Sequence, residues 1–146
     1  MGRTSLTVTI HVDGGSRGNP GPAGAGVVVR SADDGTVLFE GGYYLGRATS
    51  NVAEYHGLLR GLTRAADLNA EEARVYSDSE LLVRQMNGEY RVRSAGLKPL
   101  FQQARQLCGR FRRISFTHVR REQNTDADRL ANRAMNLQAD VEDAAK

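Results

Sequence analysis

The sequence predicts an α/β domain, a mixed sheet covered by helices, and three observations carry that reading. Three strand-like runs separated by turn signals fill Leu6 to Leu45. Beyond Asn51, apolar residues recur at helical spacing in separate segments, and short strand-like segments at Ala73–Ser77 and Arg110–His118, the latter with imperfect alternation, stand between them. A chain of 146 residues is the size of one domain and can bury a core without disulfide staples. The periodic pattern ends at Leu137, so the domain is expected over 1–137. The stretch 138–146, rich in Ala, Asp and Glu, reads as a fraying helix or a linker.

The first strand alternates Leu6, Val8, Ile10 and Val12 with Thr7, Thr9, His11 and Asp13, which puts Asp13 at a strand end on the polar face. A loop with four glycines and two prolines follows, Gly14 to Pro22. Such density lets backbone approach a ligand closely, and Arg17 and Asn19 offer donors for phosphate or hydroxyl oxygen. An ordinary turn with a solvated Asp fits the same residues. Ala23–Arg30 is a second strand whose small residues suggest close packing, Asp33-Asp34-Gly35 is a turn, and Val37–Leu45 returns, completing an antiparallel meander.

A helix then runs from Asn51 to about Leu68. Glu54 lies in its first turn on a stripe with Leu58, Gly61 and Ala65, facing the sheet, and Gly57 and Gly61 would let the helix axis come near the strands. Asn51 and Glu54 could equally form a capping pair. Thr49, Ser50 and Asn51 gather hydroxyl and amide groups where a helix N-terminus would receive a phosphate, or serve as caps. Asp78 ends the strand Ala73–Ser77 and precedes a helix at Ser79–Met86, repeating the placement of Asp13; a capping box of Ser77 and Glu80 is the alternative. After Asn87-Gly88 and the basic Arg91-Val92-Arg93, a helix is expected at Ala95–Gly109, with Leu97, Leu100, Phe101, Ala104 and Leu107 inward. A last strand spans Arg110–His118, a loop Arg120–Asn124, and a final helix starts near Thr125. Ala127, Leu130, Ala131, Ala134 and Leu137 form its buried stripe, with Asp128 on the flank, an unusual place for a charge.

Composition narrows the function. No apolar run is long enough to span a bilayer, so no membrane partner is expected. The single cysteine, Cys108, excludes an internal disulfide and suits a reducing cytoplasm. Net charge is +3, unevenly spread: residues 84–121 hold 10 Lys/Arg against 1 acid, whereas 1–83 hold 7 against 10 and 122–146 hold 3 against 6. A basic middle third suits a polyanion, since neutralised phosphates release counterions, although a solvated basic face reads the same way.

Asp13, Glu54, Asp78 and Asp128, from two strand ends and two helices, are placed at one edge of the sheet. Carboxylates so grouped must hold protons or cations. Their oxygen-only donor set favours Mg²⁺ or Mn²⁺ over Zn²⁺, and His11, His56 and His118 are scattered. Two such ions roughly 4 Å apart suit phosphodiester cleavage. The joint reading is a metal-dependent nuclease.

Four motifs stand in order: Asp13-Gly14-Gly15-Ser16-Arg17-Gly18-Asn19-Pro20-Gly21, Thr49-Ser50-Asn51-Val52-Ala53-Glu54, Tyr76-Ser77-Asp78-Ser79 and Asn124-x-x-Ala127-Asp128-x-Leu130-Ala131. With them the chain resembles type 1 ribonuclease H from about Leu6 to Leu137. The resemblance implies a five-stranded mixed sheet in the order 3-2-1-4-5. It also implies two-metal hydrolysis of the RNA strand of an RNA/DNA hybrid, leaving 3′-hydroxyl and 5′-phosphate ends. Asp13, Glu54, Asp78 and Asp128 would then be the catalytic, metal-binding acids. Asn19, Asn51 and the backbone near Gly14 would meet RNA 2′-hydroxyls, and Thr49, beside Ser50, would help seat a DNA phosphate.

Three departures from the family pattern stand out. The loop before the last acid lacks the family's histidine, which makes Arg121 the expected substitute. The basic insertion between the second and third helices is absent, so Arg91, Arg93 and Lys98 are left to grip the hybrid. Glu80 replaces a common glutamine. The pattern resembles a handle-less branch whose members are sometimes fused to a phosphatase-like domain, and the acidic tail would mark that junction. A monomer is expected. Cleavage of double-stranded RNA or a DNA junction is the nearest rival. A hybrid-binding module without catalysis would gain nothing from four grouped acids, and Gly24-x-Gly26 lacks the rest of a dinucleotide fingerprint.

Overall fold

The computed structural model describes residues 5–144. Three antiparallel strands open the chain: β1 (Thr7–Ser16), β2 (Gly21–Ser31) and β3 (Val37–Ala48). Helix α1 (Ser50–Asp67), strand β4 (Glu72–Ser77) and helix α2 (Glu80–Met86) follow. Then come α3 (Lys98–Cys108), β5 (Arg113–His118), a 3-10 turn over Arg121–Gln123, α4 (Thr125–Leu137) and β6 (Val141–Ala144). The sheet runs β5-β4-β1-β2-β3-β6, with β1, β4 and β5 parallel to one another. Among the described residues no helix is long and apolar enough to cross a membrane.

The expected order 3-2-1-4-5 is present, and a sixth strand corrects the count. The stretch expected to fray pairs through Val141–Ala144 with Gly42–Phe39 on the outer edge of β3; residues 145–146 lie outside the described residues. Its acids find donors there: the Tyr43 hydroxyl donates to Glu142 at 2.7 Å, and the Tyr44 amide donates to Asp140 at 2.8 Å. An open sheet edge supplied the partner that the tail's own sequence lacks.

Two other boundaries shift for local reasons. Helix α3 starts at Lys98, not Ala95, because Pro99 belongs in a first helical turn, where its missing N–H leaves nothing unpaired. Strand β5 starts at Arg113, since the amides of Arg112 and Arg113 are both drawn to the Glu71 carbonyl.

Strand β1 sits at the centre, and its two faces carry different helices. Val8, Ile10 and Val12 are fully buried beneath α1, where a Cβ on Gly61 would press on Ile10 and Val27. Helix α3 packs against α1, and Leu58, Leu62, Tyr55, Val27, Val29 and Phe39 complete that core layer. Helix α4 covers the opposite face across β2 and β3. It comes so close that a Cβ on Gly26 would collide with the Ala127 carbonyl, and one on Gly42 with that of Leu130.

Candidate active site

Parallel pairing of β1 with β4 ends at Val12 opposite Ser77, so Asp13 and Asp78 emerge side by side where that ladder stops. Asp13 is not at the end of its strand, as alternation alone suggested. The strand continues to Ser16 against β2, and the connecting loop is correspondingly short.

Glu54 reaches the same place because Gly14 lacks a side chain: a Cβ there would run into the Glu54 backbone nitrogen. The first turn of α1 therefore rests on β1 backbone. The cap of α1 is Thr49, whose Oγ1 accepts the Val52 amide at 3.2 Å, so Glu54 is not spent on capping. Likewise Ser79, not a Ser77–Glu80 box, caps α2, and Glu80 pairs with Arg84 at 2.8 Å. Asp128 is delivered by α4, whose start is anchored by buried Asn124. The Asn124 side-chain amide donates to the Val12 carbonyl at 2.8 Å, directly before Asp13.

One carboxylate oxygen from each of Asp13, Glu54 and Asp78 lies within 4.8 Å of the others. Asp128 joins them through contact with Asp13, and all four acids line one cavity of about 370 Å³ together with Gly14, Ser50, Arg17, Arg121 and Asn132. Electrostatics match the crowding. Burial first, then the charge of Asp78 and the Asp128 carboxyl, push Asp13 up to about 9; only 7% of it is exposed. Burial pushes Glu54 up to about 7, and a hydrogen bond from Ser79 partly opposes this. Glu54 Oε2 is buried without a hydrogen-bond partner. An orphaned carboxylate oxygen among other acids is what a divalent cation would satisfy, and oxygen-only donors suit a hard cation.

The remaining expected residues divide. Gly14, Ser50 and Arg121 are at the cavity, the Arg121 guanidinium 3.8 Å from Asp128. Asn19 and Asn51 are exposed beside it, and Asn19 Oδ1 accepts the Ser50 amide at 3.0 Å. Arg91 is not brought to the cavity; with Tyr90, Lys98 and Gln102 it lines a separate cleft beyond α2, and Arg93 is exposed nearby. His118 stays on β5 with its imidazole 3.3 Å from the Asp78 carbonyl. Sequence reasoning missed the partners of Arg17, which are Asn136 at 2.6 Å and Asn132 at 3.5 Å. Their spacing of four and eight residues from Asp128 along one helix face was the available signal.

Residues 11–134 match the family described as reverse transcriptase-like. The bifunctional protein Rv2228c of Mycobacterium tuberculosis is 54% identical over 92% of this chain, which spans 37% of that relative's length. The solved N-terminal RNase H domain of Rv2228c superposes with a TM-score of 0.89 over 91% of this chain and 96% of that one. Ribonuclease HI of Halobacterium salinarum is 43% identical over 88% of this chain and 64% of its own. LC11-RNase H1, solved in complex with an RNA/DNA hybrid, is 40% identical with a TM-score of 0.84, covering 90% and 98% of the two chains.

Proposed function

The chain belongs to the ribonuclease H family, and from that premise we propose that it is an endonuclease that hydrolyses the RNA strand of RNA/DNA hybrids, leaving 3′-hydroxyl and 5′-phosphate ends. The observation that carries the reading is the meeting of Asp13, Glu54, Asp78 and Asp128, from four separate elements, in one cavity. A binding surface for a polyanion would not assemble four carboxylates. All four come from a single chain, which is consistent with action as a monomer. We assign the catalytic domain to 1–137 and 138–146 to a tail, of which Val141–Ala144 pairs with the edge of β3, and place the enzyme in the cytoplasm, where a half-buried free Cys108 stays reduced.

Asp13, Glu54, Asp78 and Asp128 would hold Mg²⁺ or Mn²⁺, two ions with substrate bound. When bound, such ions neutralise the phosphate and lower the pKa of the attacking water. Hydrolysis joins a water oxygen to phosphorus and breaks its bond to the 3′-oxygen, which leaves with a proton. The other groups orient the hybrid. Asn19 spends its carbonyl oxygen on the Ser50 amide and keeps its NH₂ to donate, and Thr49 accepts from Val52 but still has its hydroxyl proton to give. A 2′-hydroxyl for Asn19, Asn51 and the backbone near Gly14, and a DNA phosphate for Thr49 and Ser50, suit those donors. Arg121 sits where it can release Asp128 and meet the product phosphate. Arg91 and Arg93 extend the grip beyond α2.

The test is cleavage of labelled RNA/DNA hybrid, double-stranded RNA and double-stranded DNA, each with Mg²⁺, Mn²⁺ or chelator. Cutting of the hybrid RNA strand with either cation, and none with chelator, is expected. Equal cutting of double-stranded RNA would widen the substrate class, and an inert hybrid would remove the proposal.

A further inference from the structure

Four carboxylates share their cavity with two guanidinium groups, and the two are held differently. Arg121 leans on Asp128. Arg17 has no carboxylate partner among the described residues: its Nη2 alone is engaged, by the neutral side-chain oxygens of Asn136 and Asn132. Neutral acceptors aim a guanidinium without cancelling its charge, and Nε and Nη1 make no hydrogen bond among the described residues, which leaves them for a two-point contact with an anion.

The backbone beneath is fixed as well. The Arg17 amide donates to the Pro22 carbonyl at 2.8 Å, Ser16 Oγ donates to Ala48 at 2.7 Å, and a Cβ on Gly21 would collide with the Arg17 carbonyl. Asn132 is itself held, its amide donating to the Asp128 carbonyl at 3.0 Å. A pre-set cation is thus one to two helical turns, roughly 6–12 Å along α4, from the last acid.

We propose that Arg17 grips a phosphate of the cleaved strand next to the scissile one, with Asn132 and Asn136 as positioning residues that aim it. This rests on the hybrid-cleavage reading. Arg17 lines the cavity of the acids itself, so the strand that enters that cavity is the one it meets.

The experiment pairs variants with hybrids carrying single neutral methylphosphonate linkages at each position flanking the cut, in the RNA strand or in the DNA strand. Arg17→Ala is expected to lose about tenfold in kcat/KM on the unmodified hybrid, the scale of one charge-assisted hydrogen bond, with more of the loss in KM. Its salt slope should flatten by roughly one. At one RNA-strand linkage the wild type should lose a similar factor while Arg17→Ala loses nothing further. Arg17→Lys should recover part of the loss, and Asn136→Ala, which leaves the charge, should lose a smaller factor at the same linkage. Additive losses at every RNA linkage, coupling confined to the DNA strand, or an Arg17→Ala enzyme equal to wild type would each overturn the assignment. A wild type unable to cut the hybrid would instead defeat the reading beneath it. Should Arg17→Ala unfold early, the linkage scan with Asn136→Ala and Arg17→Lys decides alone.

Discussion

Asp13 is buried and faces two other carboxyls, and the proposed chemistry would converge on it. Asp13→Asn removes an ionisable oxygen ligand from the cluster without adding bulk. Hybrid cleavage should fall on the order of 10³-fold or more, as when a member of a cooperative catalytic set is lost, while hybrid binding holds or tightens; gel shift and turnover measured together check this. The same residue governs a pH effect. Asp13 rises to about 9 and Glu54 to about 7 in the folded chain, whereas an unfolded carboxylate titrates near ~4. Between those values the folded state binds more protons than the unfolded, so these acids make stability fall as pH rises. In chelator, the melting temperature of wild type should decline from pH 5 to pH 9 more steeply than that of Asp13→Asn. Added Mn²⁺ should raise it most at the alkaline end; parallel profiles would refute the account. The four acids were legible in the sequence because Asp13 and Asp78 each followed an apolar strand pattern and Glu54 and Asp128 stood on or beside an inward helical stripe, although β1 runs on past Asp13 to Ser16. The anchoring by Asn124 and the aim of Arg17 were not, since both depend on contacts between elements distant in sequence.

At the level of elements, two glycines set the distances of the site. A methyl group at Gly14 must displace the start of α1, and one at Gly26 must lift α4. Gly14→Ala and Gly26→Ala should each cost about 1–3 kcal/mol by overpacking and lower hybrid cleavage more than an equally destabilising core change elsewhere, measured by urea unfolding beside turnover. Close packing at Gly57, Gly61 and the small residues of β2 was legible because a side-chain-free stripe facing a strand has few other uses. Strand β6 was not, because its residues carry no apolar period and take their order from the edge of β3. Tyr43, with the Arg60 guanidinium 4.3 Å from its ring centre, gives its hydroxyl to Glu142. Glu142→Ala should therefore cost about 1 kcal/mol and lower the melting temperature by about 2–4 °C, with activity per folded molecule retained.

Across the whole molecule, charge is less concentrated than its place in the sequence implies. Strand β5 runs parallel to β4, so Arg120 and Arg121 follow it at the end that bears the acids, while Arg110, Arg112 and Arg113 lie at the other end, roughly 20 Å away. Only part of the basic third can serve the substrate. Replacing Arg91 and Arg93 together by Ala should weaken hybrid binding and flatten the salt slope by roughly one per lost phosphate contact, whereas Arg110→Ala with Arg112→Ala should leave the slope unchanged. Binding titrations at graded salt separate the two. Because α1 and α4 touch the sheet backbone to backbone, their approach is already at its shortest stop. Trimming the aliphatic filling would loosen the whole body before it respaced the acids, so variants weakened in that way should melt sooner yet cut at the ordinary rate until they do.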